Sequence, residues 1–185
     1  MRTLCPELTD DELAHFGRQL AVKTYRKKEY YTKSHEVQRY VGFVVSGLVR
    51  SFYVDSHGDE KTSWFVPENQ FITDYPVFLE QRPSHYHFQC LEPTTIVNLP
   101  YEAIQQAYHT SSRFERYGRL IAEEILKLQQ TRIESFLFKN AEQRYLDFIR
   151  DSPELFNRIS LTYLASYLGI ERQSLSRIRK KLMTQ

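Results

Sequence analysis

The sequence predicts an α+β protein in which a β-roll comes first and helices follow. Residues 23–99 contain short runs rich in Val, Phe, Tyr and Thr, separated by turn residues. Such punctuation is typical of antiparallel strands in a small roll or barrel. After Pro100 the apolar residues recur at helical spacing instead. Strands and helices in separate blocks indicate two structural units rather than one interleaved parallel sheet.

Composition and charge describe an ordinary globular protein. The chain has 185 residues, 41% of them hydrophobic, and a net charge of only +2, which argues against a protein that coats nucleic acid. Cys5 and Cys90 lie far apart without metal-ligand spacing, so we expect free thiols. No segment is apolar enough to span a bilayer and no secretory signal is recognisable, so a cytoplasmic location without a membrane partner is expected.

The N-terminal half is predicted to begin with a helix over 9–20. Thr9 and Glu12 form a capping-box pair, and Leu8 and Leu13 are placed as a hydrophobic staple. Strands are expected at 41–45, 48–54, 61–66, 86–91 and 95–99.

A short helix over 101–109 and a long helix over 112–138 are expected next. The long helix carries two apolar stripes. The first, assigned to the dimer helix, consists of Phe114, Gly118, Ile121, Ile125 and Leu128. The second consists of Leu120, Leu126, Ile133, Phe136 and Leu137. One stripe suffices to pack a helix on its own domain, so a second predicts a homodimer. The alternative is a helix buried between two layers of one chain.

The C-terminal unit is expected to begin near Lys139. Asn140 with Gln143 opens a further helix, and Ser160 is placed to cap the one after it. The predicted organisation is therefore a β-roll domain over 1–111, a dimerisation helix over 112–138 and a DNA-binding domain over 139–185.

The stretch 161–180 has the pattern of a helix-turn-helix. Ala165 lies where the helices cross, and Gly169 lies in the turn, where a Cβ would resist a positive φ. The shared apolar seam is Leu164, Leu168, Ile170, Leu175 and Ile178. A basic amphipathic helix held by a partner helix fits the DNA major groove. A helical hairpin with a solvated basic face is the alternative, but the small residue, the glycine and the apolar positions all fall in register.

This order of elements resembles the Crp/Fnr family of bacterial transcription regulators. The most specific segments are LASYLGIERQSLSRIRKKL at 164–182 and QFITDYPVFLEQRPSHY at 70–86. The resemblance implies a cyclic nucleotide-binding-like β-roll, which is a double-stranded β-helix. It also implies a homodimer that reads a pseudo-palindromic site in double-stranded DNA, works with RNA polymerase and has no enzymatic activity.

On the same resemblance, Arg172, Gln173 and Arg177 fall at base-reading positions. Their chemistry agrees, because Arg donates twice to guanine and Gln pairs with adenine. The implied phosphate contacts are Ser174, Ser176, Arg179, Lys180 and Lys181.

The segment 70–86 falls where nucleotide-binding family members carry their phosphate-binding cassette. The candidate effector pocket implied there is Thr73, Asp74, Arg82, Ser84 and His85. The family's Gly-Glu and Arg-Ser pairs are replaced, and Ser84 cannot supply the charge of the missing Arg. Arg82 can substitute only if the loop shifts. We therefore expect an unidentified small effector other than cyclic AMP, or none, and assign no cofactor.

Two functions other than DNA binding are also compatible with parts of the sequence. His85 and His87, followed by Glu92, resemble the first part of a cupin metal motif, which would make the protein a metal-dependent enzyme. The second histidine-bearing motif of cupins is not found, so no metal site is assigned. The other reading is a protein-interaction module that keeps the fold without binding DNA.

Overall fold

A computed structural model describes residues 5–183. Helix α1 (Asp10–Gly17) starts at the predicted capping box, in which Thr9 Oγ1 accepts from the Glu12 amide and the Glu12 carboxylate accepts from the Thr9 amide. The helix ends at Gly17, short of the predicted residue 20, because a strand begins at Ala21.

Within the described residues, eight strands form two four-stranded antiparallel sheets. They are β1 (Ala21–Tyr25), β2 (Tyr30–Thr32), β3 (Tyr40–Ser46), β4 (Val49–Val54), β5 (Glu60–Val66), β6 (Phe71–Ile72), β7 (His87–Cys90) and β8 (Thr94–Pro100). The first sheet has the order β1-β8-β3-β6 and the second β2-β7-β4-β5. The five predicted strands are confirmed. The sequence prediction missed β1, β2 and β6, as well as the short helix α2 (Tyr75–Leu79) that follows β6.

The N-terminal half has one hydrophobic core between the sheets and another under the helices. Val44, Ile72 and Ile96 are fully buried between the sheets. The second core lies under α1, α3 (Tyr101–Thr110) and the start of α4 (Ser112–Phe138). The first turns of the long helix therefore pack on the β-roll of their own chain.

The C-terminal helices share a core with the β-roll. They are α5 (Ala141–Asp151), a 3-10 turn (Pro153–Leu155), α6 (Leu161–Tyr167) and α7 (Arg172–Met183). Asn140 and Ser160 cap α5 and α6 as predicted. Leu48 and Phe65 of the β-roll belong to the same buried cluster as these helices. The predicted division near residue 139 is thus not a division of the core.

No helix among residues 5–183 is both long and apolar enough to cross a bilayer.

Candidate DNA-binding surface and effector region

The helix-turn-helix consists of α6, a turn over 168–171 and α7. Leu164, Ala165 and Leu175 are buried at its seam. Gly169 has a φ of +68°, and a Cβ there would lie 2.7 Å from Cε1 of Phe136 in α4. Glycine is needed at this turn both for its backbone conformation and for the close approach of the long helix.

The predicted base-reading residues share the solvent face of α7. Arg172, Gln173 and Arg177 are all exposed, whereas Leu175 on the opposite face is fully buried. Helical spacing places Ser176 on the same exposed face. The structure therefore brings the three side chains together on a surface that a DNA groove can reach; their base-reading role stays a prediction.

Several side chains that are predicted to contact phosphates already make contacts within the chain. Ser176 Oγ donates to the Arg172 carbonyl at 3.0 Å, and Lys181 Nζ pairs with the Glu142 carboxylate at 2.7 Å. The guanidinium of Arg179 lies 5.2 Å from the centre of the Phe156 ring. Ser174 is half-buried and Lys180 is exposed. Several of these groups must therefore share or release a contact within the chain before they bind a phosphate.

Two arginines that the sequence did not single out hold the turn against α4 and α5. Arg132 donates to the Tyr167 carbonyl and stacks 3.8 Å from the centre of that tyrosine's ring. Arg144 donates to the Leu168 carbonyl at 2.9 Å. These carbonyls belong to the end of α6, where no further helical turn satisfies them. Burial lowers the pKa of both guanidinium groups.

Arg50 of β4 is buried where the β-roll meets α6, with an exposed fraction of 1%. Its Nε donates to Thr62 Oγ1 at 2.8 Å, and its Nη1 to Glu60 Oε2 at 2.5 Å. The guanidinium carbon lies 3.8 Å from the centre of the Tyr163 ring and 4.3 Å from that of Phe52. The β4–β5 hairpin and the first helix of the pair thus share one buried cation.

Two further polar contacts join the same units. Ser166 Oγ accepts from the Thr62 amide at 2.8 Å and donates to the Glu60 carbonyl at 3.2 Å. Arg158, just before α6, donates to Glu68 with two nitrogens and to Glu92 at 2.6 Å. Hydrogen bonding to Arg158 lowers the pKa of Glu68 to about 2.

In the cassette region, Asp74 and Ser84 bond to each other. Ser84 is fully buried, and its Oγ donates to Asp74 Oδ2 at 2.7 Å while accepting from the Tyr86 amide. The Asp74 amide donates to Gln38 Oε1 at 2.9 Å. The side chains at the predicted ribose and phosphate positions are therefore occupied by neighbours within the chain.

The other candidate pocket residues point elsewhere. Arg82 is 63% exposed and pairs with Glu80. His85 lies in an open cleft on the second sheet with His35 and His87. The structure thus does not gather the five candidates into one pocket.

Thr73 lines a separate cavity of about 60 Å³ between the first sheet, α2, α3 and α4. The cavity walls are neutral and mostly apolar. Among the residues described, the Thr73 hydroxyl is buried without a hydrogen-bond partner. Ile121 and Ile125 of the predicted dimer stripe also line this cavity.

The first apolar stripe of α4 mostly faces its own chain. Phe114 and Gly118 are buried in the protomer, so they are not available to a partner as the sequence prediction assumed. Leu128, at the end of this stripe, is 48% exposed.

The second stripe remains on the surface. Leu126, Ile133 and Leu137 are 67%, 54% and 69% exposed, respectively. Their spacing of seven and four residues places them on one face of α4.

No group of three or more His, Cys, Asp or Glu side chains is placed to hold a metal ion within 5–183. Nδ1 of His87 accepts from the Ser34 amide at 3.2 Å. The cupin alternative therefore finds no ligand set in this part of the chain.

Comparison with known proteins agrees with the geometry. The family model of the cyclic nucleotide-binding domain matches residues 22–111. Over 169 residues the chain is 25% identical to "Electron transport regulator A" of Shewanella oneidensis and, equally, to the "Fumarate and nitrate reduction regulatory protein" of Vibrio cholerae. The chain is therefore similar to regulators of the Crp/Fnr type. These matches cover 84% of the chain but 66% of each relative, and both relatives are regulatory proteins by name rather than enzymes.

A solved Crp/Fnr-type structure confirms the predicted fold. FixK2 of Bradyrhizobium japonicum superposes with a TM-score of 0.78 at 22% identity, covering 90% of this chain and 85% of that one.

Proposed function

We propose that this chain is a sequence-specific DNA-binding transcription regulator that acts as a homodimer on a pseudo-palindromic site. The observation that carries the proposal is the face of α7, where Arg172, Gln173 and Arg177 are exposed together opposite the buried Leu175. Arg offers paired donors to guanine and Gln pairs with adenine, so the face suits a major groove of mixed sequence.

The homodimer is proposed to form through the second stripe of α4. Leu126, Ile133 and Leu137 offer an apolar face that solvent covers in the single chain. A second copy presents the same stripe across a two-fold axis, which buries both. Two recognition helices then face two half-sites, as a palindromic operator requires. This assignment replaces Phe114 and Gly118, which the protomer buries itself.

The β-roll is proposed to respond to a small effector other than cyclic AMP. Asp74 and Ser84 satisfy each other, and Arg82 turns outward to Glu80. A cyclic phosphate would then be buried without a cation, which is costly. Contact with RNA polymerase, the absence of enzymatic activity and a cytoplasmic location are proposed with the same function.

Selection from a pool of random duplexes tests the proposal. We expect an enriched palindrome whose affinity falls steeply as salt rises, because phosphate contacts release counterions. Arg177→Ala should weaken binding by roughly 10-fold to 100-fold, the cost of a lost guanine contact. Arg116→Ala is the matched control. Arg116 lies near the start of α4, far from α7 in the sequence, is 55% exposed and pairs with Glu7.

The proposal fails if no sequence is enriched, or if Arg177→Ala and Arg116→Ala bind alike. Light scattering on the same preparation tests the dimer. A protein that stays monomeric at micromolar concentration contradicts the paired half-sites.

A further inference from the structure

Arg50 occupies a position in β4 that ordinarily holds an apolar side chain. Side chains two residues apart share a face of a strand, and its neighbours Leu48 and Phe52 on that face are buried. Arg50 is buried as deeply as they are, yet carries a charge. Its ion-pair partner Glu60 is 47% exposed, so the cation itself bears most of the desolvation.

A buried ion pair of this kind is weak evidence for stability. Desolvation commonly cancels the attraction, and apolar residues of similar volume often serve as well or better. What the guanidinium adds is direction. It lies over the ring of Tyr163, 3.8 Å from the ring centre, and donates hydrogen bonds to Thr62 and Glu60.

A second contact prevents α6 from rotating about the first. Ser166 lies one turn after Tyr163 and bonds to the backbone of the same two strand residues, Thr62 and Glu60. Two contacts on one face of a short helix define both its distance from β5 and its tilt.

We infer that Arg50 is a positioning residue for DNA reading: it sets the angle at which the helix-turn-helix leaves the β-roll. The inference rests on the proposed function. Because α7 is packed on α6 across a buried seam, the orientation of α6 sets where Arg172 and Arg177 project. In a dimer, that orientation sets the separation of the two recognition helices and hence the half-site spacing that fits.

A positioning role and a purely structural role for Arg50 lead to different effects on DNA binding when its contacts are removed. Without the contacts of Arg50 to Tyr163, Thr62 and Glu60, which we call the clamp, each recognition helix still reads its own half-site. The relative orientation of the two recognition helices, however, must then be fixed during binding. This costs conformational entropy and weakens the complex on a correctly spaced site. Spacing preference should therefore fall while half-site affinity and salt dependence stay.

Arg50→Met tests this in the full-length protein, because methionine keeps an unbranched side chain against Tyr163 but removes the charge and the donors. Arg150→Met is the matched control on the surface of α5, where Arg150 is 67% exposed. The measurement is affinity for three duplexes: the selected palindrome, the same palindrome with one base pair inserted between its half-sites, and a single half-site.

We expect Arg50→Met to bind the palindrome with roughly tenfold lower affinity, because the orientation of its two recognition helices is not fixed in advance. Its affinity should also differ less between the palindrome and the duplex with the inserted base pair. Half-site affinity should match the control, whereas the melting temperature should fall because Thr62 and Glu60 lose their donor, so affinities are compared well below the unfolding transition of every variant. Tyr163→Phe, which keeps the stacked ring, should behave as wild type, and Tyr163→Leu should resemble Arg50→Met.

Unchanged spacing preference in Arg50→Met overturns the inference. So does a loss of half-site affinity in proportion to a lower melting temperature, which would mark a structural role. Hydrogen exchange of the free protein gives a readout independent of DNA: Arg50→Met should speed exchange in α6 and leave β1 and β8 unchanged. If wild type binds no DNA, the proposed function fails, and unchanged exchange in α6 then overturns the clamp as well.

Discussion

The junction between the β-roll and α6 differs sharply from the cassette region of the same β-roll. At the junction, Arg50 and Arg158 turn inward and are satisfied by carboxylates and aromatic faces. At the cassette, Arg82 turns outward, and the adjoining cavity is neutral and incompletely filled. Arg50 and Arg158 thus place their charge where the β-roll meets the C-terminal helices, whereas the arginine of the cassette region stays in solvent. The junction with α6 is therefore held by more polar and aromatic contacts than the cassette region is.

Replacing one arginine in each region gives the largest expected contrast. Arg158→Met leaves Glu68 and Glu92 without their shared cation and should lower the free energy of unfolding by about 2 kcal/mol, below the range for fully buried pairs because all three groups are partly exposed. Arg82→Met removes a surface pair and should change it by less than about 0.5 kcal/mol. Urea denaturation of both variants measures the difference. Equal losses would mean that the junction is no more specified than the cassette.

Removing one hydroxyl in the cassette region should have effects of opposite sign at two positions. Thr73→Val removes a buried hydroxyl that has no partner among residues 5–183, and should stabilise the protein by about 1 kcal/mol. Ser84→Ala removes the hydroxyl that donates to Asp74 and should destabilise the protein by about 1 kcal/mol. Thermal unfolding at fixed protein concentration separates the two. A destabilised Thr73→Val would show that the cavity is better filled than its geometry indicates.

The smallest effect expected is acid loosening of the junction. The pKa of Glu68 is lowered from 4.5 to about 2, mainly by its hydrogen bonds to Arg158. A carboxyl with a depressed folded pKa stabilises the fold above its unfolded pKa, and this contribution is lost as pH falls from about 4.5 towards 2. Hydrogen exchange in α6 should accelerate over that window in wild type.

Glu68→Gln is the control for this effect, and it should flatten the pH dependence in α6. The readout must be local, because the pKa of Glu12 is also lowered to about 2, chiefly by hydrogen bonds from Ser111 and Thr9, and Glu12 loosens α1 over the same window. An α6 response that persists in Glu68→Gln would place the titrating group elsewhere.

Local patterns carried most of the fold prediction. The caps at Thr9, Asn140 and Ser160 and the turn at Gly169 each depend on neighbouring residues, and each was found from sequence. The strands β1, β2 and β6 were missed because β1 is largely exposed and the other two are only three and two residues long. Short or solvated strands lack the alternation on which the prediction relies.

The candidate site was predicted where it is local and missed where it is not. The exposed face of α7 follows from helical spacing alone. Arg158 meets carboxylates 66 and 90 residues away, and no local pattern reports such a pair. Arg50 likewise meets α6 more than 100 residues further along the chain, and the sequence of β4 does not show that this face of the strand is covered. The sequence shows two apolar stripes on α4 but not which of them the protomer buries, because that depends on the packing of the β-roll against the helix.

The attachment of the helix-turn-helix to α4 makes the long helix a lever. With 27 residues, α4 is about 40 Å long. Its first turns are held by the β-roll core, and its last turns, through Arg132 and Phe136, contact the turn of the helix-turn-helix. A tilt of about 5° at the anchored end therefore displaces the far end by roughly 3 Å, close to the rise of one base pair. In the proposed complex with DNA, a displacement of this size corresponds to about one base-pair step, and the contacts of Arg50 and Arg158 with the β-roll oppose it.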